Sequence, residues 1–135
     1  MRLKRSVQFK ALVQCHPILL LIIAHANFFS WKNGVNPVIT EVVSTKDIDM
    51  LEGRVSLTHQ EGRAFDISLK GIQEDFIDDI KSELWANFGE FSAVNEKGEP
   101  VLIVDHDSGS GRHLHVQIHS KYKWPVFDES LYVSQ

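Results

Sequence analysis

Residues 113–119 read His113-Leu114-His115-Val116-Gln117-Ile118-His119. Strict alternation is the period of a β-strand: Leu114, Val116 and Ile118 take one face, and the three imidazoles with Gln117 take the other. A strand with one aliphatic face belongs to a sheet that is covered on that side. Neighbouring residues on the polar face lie about 6.5 to 7 Å apart, a distance at which imidazoles can converge on one ion or flank it. A half-exposed, His-rich edge strand would give the same pattern. Seven histidines in 135 residues, four of them between His106 and His119, tilt the reading towards metal.

Upstream, Arg63 to Ser68 (RAFDIS) alternates too, with Phe65 and Ile67 on one face and Ala64, Asp66 and Ser68 on the other. Between Gln73 and Phe88 the positions Phe76, Ile77, Ile80, Leu84, Trp85 and Phe88 follow helical spacing, which predicts an amphipathic helix burying these residues. Glu74, Asp75, Asp78, Asp79 and Lys81 form its wet side, and acids in the first turn suit the positive end of the helix dipole. Phe91 to Val94 and Val101 to Asp105 flank a turn-rich stretch and predict a hairpin with a longer loop.

Near the start, Pro17 suits a first helical turn, Ile18 to Trp31 is apolar on most sides, and Asn33-Gly34 is a C-terminal stop, so a buried helix is expected. Pro37 to Ser44 (PVITEVVS) is rich in β-branched residues and predicts a strand, and Thr45 to Arg54 is a polar loop. Basic residues in Met1 to Lys10 before the apolar run Pro17 to Ala24 also resemble a cleavable signal peptide. The run is far shorter than the roughly 20 residues that span a bilayer, and the buried helix is the favoured reading, with no stable membrane insertion. The order helix, strand, strand, helix, hairpin, strand implies one α+β domain over residues 1–135, a largely antiparallel sheet flanked by helices.

Apolar residues at 43% and charged residues at 24% match ordinary globular proteins and exclude disordered and collagen-like classes. A net charge of -4 gives no broad basic surface, so nucleic acid is not an expected partner. Cys15 is the only cysteine, which excludes an intramolecular disulfide and a Cys-rich zinc finger and leaves His and carboxylate as metal ligands.

The second chemical motif is His59-Gln60-Glu61-Gly62-Arg63-Ala64-Phe65-Asp66, where an imidazole precedes a carboxylate across a turn that Gly62 lets bend. Alone it is a weak signal. Paired with the His-rich strand, it offers imidazole and carboxylate donors of the kind zinc takes at about 2.0 to 2.2 Å in tetrahedral geometry. Three protein ligands would leave the fourth position open, as in catalytic rather than structural sites. Iron and manganese suit such donors too.

At these residues the chain resembles the zinc D-alanyl-D-alanine carboxypeptidases and L-alanyl-D-glutamate peptidases of peptidoglycan, whose core the hedgehog signalling domain shares; it is similar to the short, endolysin-like members encoded by bacteriophages. The likeness rests on His59 to Asp66 with Gly62, Arg63 and Ala64, on His113-Leu114-His115, and on the order of elements from Val7 to Ile118. It implies a hedgehog-like zinc metallopeptidase domain in which His59, Asp66 and His115 bind Zn2+ and His113 is the active-site imidazole. Arg63 is better read as structural.

Two departures from that family stand out. Leu57 replaces the serine that usually sits two residues before the first ligand, and positions 109–112 (Gly-Ser-Gly-Arg) hold no acid where the family has its general base. Asp107 is the nearest candidate base, although it also suits the start of an Asp107-Ser108-Gly109 turn. The resemblance implies a monomeric hydrolase acting at the bacterial cell wall on peptidoglycan peptides. The alternative is a catalytically inactive, zinc-stabilised binding domain of the same fold. Trp124, Phe127 and Tyr132 are expected to cover the core rather than wall a groove.

Overall fold

The computed structural model describes residues 1–4, 12, 14–42, 50, 58–59, 61–107 and 111–124. In chain order these form β1 (Arg2–Leu3), α1 (Pro17–Lys32), β2 (Val38–Glu41), β3 (Ala64–Ser68), α2 (Glu74–Phe88), a 3-10 turn (Gly89–Phe91), β4 (Ala93–Val94), β5 (Pro100–Val101), β6 (Ile103–Asp107), β7 (Arg112–Gln117) and a second 3-10 turn (Ser120–Tyr122). The main sheet runs β1-β2-β3-β7-β6, antiparallel except for the β1/β2 pair. This is the α+β domain that the element order implies, with a mostly antiparallel sheet and two helices.

One face of the sheet carries Ile39, Phe65, Ile67, Leu114 and Val116, all buried, in a single cluster with Leu19, Ile22 and Ile23 of α1 and Ile77, Ile80 and Leu84 of α2. Burying each such side chain stabilises by about 1.5 to 3 kcal/mol, so both helices are held to that face. α1 begins as expected, with Pro17 in its first turn and the Ile18 amide donating to His16 Nδ1 at 3.0 Å, and it ends at Asn33 before Gly34 at φ 69°. Its burial is one-sided, however: Leu21, Phe28 and Trp31 are exposed. On α2, Trp85 is also exposed, at 48%, contrary to its expected place in the core. It sits about 100° round the helix from the buried Leu84, and its ring lies over Gly89, where a Cβ would come within 3.3 Å.

The expected hairpin divides. β4 and β5 pair over two residues each, around a turn in which the Lys97 and Glu99 amides donate to Asn95 Oδ1. Leu102, almost wholly buried, then turns the chain, and β6 leaves to join β7 in the main sheet. β2 is shorter than expected, and Val43, Ser44 and, apart from the exposed Met50, the loop Thr45 to Arg54 lie outside the described residues, as do Phe127 and Tyr132. β1 had no sequence signal, because two residues in a basic segment show no period; Arg2 and Lys4 donate backbone bonds to Pro37 and Ile39. No helix among the described residues is long and apolar enough to cross a membrane.

Candidate metal centre

The face of the sheet opposite the helices carries the histidines. Asp66 lies in the middle of β3 and pairs directly with His115 on β7, one step from the Ser68 and His113 pair. Directly opposed side chains start about 4.5 to 5.5 Å apart at Cβ, so the pairing alone brings Asp66 and His115 into reach. His59 arrives from the turn before β3, closed by bonds from the Gly62 amide to the His59 carbonyl and from the Arg63 amide to the Thr58 carbonyl. Gly62 has φ 65°, and a Cβ there would meet the Gln14 carbonyl at 3.1 Å and the Trp124 Cβ at 3.2 Å. Glycine is required here on both counts.

The turn is tied down on every side. Its Gly62 carbonyl accepts from the His16 amide at 2.8 Å and its Glu61 carbonyl from the Trp124 amide at 3.0 Å. Arg63 donates to Glu61 Oε1 and to the Ile118 carbonyl, which bears out its structural reading. Burial alone would raise the Glu61 carboxyl, but hydrogen bonds and charge from Arg63 and Lys123 hold it below its usual range.

His59, Asp66 and His115 each offer one ligand atom, and these atoms lie within 4.8 Å of one another. Asp66 Oδ1 is 2.7 Å from His115 Nδ1 and 3.3 Å from His59 Nε2. The two rings stand edge to face, 5.1 Å apart. Their outer nitrogens are already committed. His59 Nδ1–H donates to the Val42 carbonyl at 2.7 Å. Gln117 donates from Nε2 to the Val101 carbonyl, which turns its Oε1 towards His115 Nε2 at 3.1 Å and makes that nitrogen the proton carrier. The inner nitrogens of the neutral rings are then lone pairs aimed at a carboxylate, three acceptors in one small space. That convergence is stable only around positive charge, supplied by protons or by a cation. Orienting hydrogen bonds on the outer nitrogens are the usual support of metal-binding imidazoles. The residues therefore fit a metal ion: one anionic oxygen and two oriented imidazole nitrogens, nearly buried.

Desolvation would push the Asp66 carboxyl up, but the hydrogen bonds and charge that the His115 and His59 rings supply when protonated more than offset it and hold it well below the usual carboxylate range.

The remaining site candidates sit around this centre. His113 shares the face with His115, and its Nδ1–H donates to the Gly111 carbonyl at 2.9 Å, but it is not one of the three converging groups. Asp107 pairs with Arg112 at the last position of β6, just before residues 108–110, which lie outside the described set; the register does not place it opposite either histidine. By the same register Asp107 and Asp105, two residues earlier, share the side of β6 that faces away from the centre, where Arg112 and Lys81 bind Asp105 and Arg112 also reaches Glu74 on α2. His16 and His119 accept amide bonds at helical turns, and His25 pairs with Glu83. Trp124, 37% exposed, packs edge-on to the His16 ring, 5.1 Å away, rather than over the core.

Two polar residues on the metal face have no role from sequence: His106, in neither motif, is expected to be dispensable for metal, and no motif singles out Glu41. His106 stands opposite His113, the rings 6.2 Å apart. Glu41 stands opposite Asp66 through a β-bulge in β2. The hairpin register reveals the first only once the loop after Asp107 is placed, and a bulge leaves no periodic mark in sequence. No protein-family model, curated protein or solved structure matches this chain.

Proposed function

We propose that the protein is a zinc peptidase of the hedgehog-like D-alanyl-D-alanine carboxypeptidase and L-alanyl-D-glutamate peptidase kind, cutting an amide bond in peptidoglycan stem peptides at the bacterial cell wall. The observation that carries this reading is the convergence of His59, Asp66 and His115, the residues that the resemblance names as ligands, from a turn and two strands. Zinc is favoured over other divalent ions by two neutral imidazoles and one carboxylate, which leave a tetrahedral position open. When bound, zinc would polarise the scissile carbonyl and acidify a water molecule. The chain's own residues then orient and exchange protons. Val42 and Gln117 fix both ligand rings. His113, anchored through Nδ1 to Gly111, keeps Nε2 for proton exchange at the edge of the centre. Asp107, at the tip of the same hairpin, is the proposed carboxylate base.

The rival reading is a binding domain of the same fold that keeps zinc and has lost turnover. The β6 register favours it, because Asp105, spent on Arg112 and Lys81, and Asp107, two residues on, both lie on the strand side away from the centre. Purified peptidoglycan and synthetic stem peptides decide between the two. The peptidase releases new amino groups with time, stops with a chelator and restarts with zinc. Zinc binding with no hydrolysis of any stem peptide overturns the peptidase in favour of the binding domain, and release of reducing sugars without new amino groups overturns peptide chemistry altogether.

A further inference from the structure

His106 and His113 face each other across the β6/β7 ladder, on the side of the sheet that carries the metal centre. Their ring centres are 6.2 Å apart and their planes differ by 29°. The rings are stacked near the long end of the roughly 4.5 to 7 Å range of such contacts, a weak contact that an ion can displace. An ion about 2.0 to 2.1 Å from each ring nitrogen sits roughly 3.2 Å from each ring centre, so two imidazoles share one tetrahedral ion when their centres are about 5.2 Å apart. The observed gap exceeds this by about 1 Å, which rotation of the two side chains closes without movement of either strand, since directly opposed residues start about 4.5 to 5.5 Å apart at Cβ. Further features prepare the pair for an ion. His113 spends Nδ1 on the Gly111 carbonyl, which leaves Nε2 as a lone pair. His106 is exposed, and among the described residues its ring makes no hydrogen bond, so either nitrogen can turn inward. Both strands are anchored by their neighbours: Val104 pairs with His115 and Asp105 with Leu114.

We propose that His106 and His113 form a second, weaker site for a borderline-soft divalent cation, zinc, nickel or copper, completed by solvent. Two exposed imidazoles bind less tightly than the nearly buried set of two imidazoles and a carboxylate, so the site fills only after the first. An ion there takes the Nε2 lone pair of His113. If His113 exchanges protons for the first site, as the peptidase reading has it, excess metal inhibits, and the enzyme is restrained by the element that activates it. This regulatory consequence rests on that reading, whereas the binding site itself does not.

Equilibrium dialysis of the metal-stripped full chain against zinc, and separately nickel, tests the site. The expected result is one tight equivalent and a second at least tenfold weaker; His106→Ala and the more conservative His106→Asn each lose the second and keep the first. A second equivalent that survives both substitutions, or no second equivalent at millimolar metal, overturns the proposal. Absence of the tight equivalent alone sinks the reading of the first centre and leaves the His106 comparison to decide the second. In the activity arm, each protein is measured against its own rate at one equivalent of zinc. Inhibition by excess zinc should shift to at least fivefold higher concentration in the His106 variants, and unchanged inhibition overturns the regulatory consequence.

Discussion

The Nδ1–H of His59 donates to the Val42 carbonyl at 2.7 Å, and the opposite edge of the same ring stands 3.3 Å from the carboxylate of Asp66. A backbone carbonyl from the end of β2 thus chooses which nitrogen of His59 faces the centre. One tightly held divalent ion per chain is the expected consequence. His59→Ala, Asp66→Ala and His115→Ala should each lose most of it in elemental analysis of protein purified without chelator. His16→Ala, His25→Ala and His119→Ala should retain it, because those rings serve helical turns and an ion pair elsewhere. Full metal content in all three ligand variants would refute the site.

Asp107→Asn and His113→Ala separate proton transfer from metal binding. Both should keep the ion, and each should lower hydrolysis, Asp107→Asn by about 10² to 10⁴ if its carboxylate is the base. A loss below about tenfold in Asp107→Asn, with turnover abolished in His113→Ala, would move the role to the imidazole. Asp105→Asn is the control, and it should cost stability rather than rate.

That control has a definite pH signature. The hydrogen bonds from Arg112, with Lys81 beside them, hold the Asp105 carboxyl down to about 2, from an ordinary value of 3.8. A folded value below the unfolded one means stabilisation that is complete above pH 4 and fades as pH falls towards 2. A shift of this size is worth about 2.5 kcal/mol unscreened, and solvent around a partly exposed pair reduces it to about 1 kcal/mol. Asp105→Asn should therefore unfold about 1 kcal/mol more easily at pH 7 in urea titrations, with the gap to the native sequence closing below pH 4. A gap that persists unchanged at pH 2.5 would show that the carboxylate charge is not its source.

Gly62→Ala should destabilise by about 1 to 3 kcal/mol, since it combines a positive φ with a Cβ that presses on a backbone carbonyl. It should also weaken metal binding, because the same turn carries His59. Unchanged melting and unchanged metal affinity would together show that the turn tolerates a side chain.

The parts of the fold legible in the sequence are those written in period. α1, β3, α2 and β7 fall within a residue or two of expectation because their apolar spacing is set by the face they bury. Asp66 and His115 were legible as donors, but their direct pairing is a matter of register, which alternation fixes only to a face and not to a partner. The split of the second hairpin at Leu102 and the exposure of Trp85 depend on where the chain must turn to reach the sheet, and local sequence does not encode that. The position of His106 had the same cause: its meaning arises only when β6 lies against β7.

The bond from the His16 amide to the Gly62 carbonyl, 2.8 Å long, splices the first turn of α1 to the turn that presents His59, while the His16 ring caps that helix and touches Trp124. Two amide hydrogens remote from any ligand atom, those of His16 and Trp124, are therefore stapled to the ligand-bearing turn. In hydrogen-exchange experiments they would act as a gauge, slowing together as the centre fills, so that occupancy could be followed from the backbone without a substrate and without altering any residue that holds the ion.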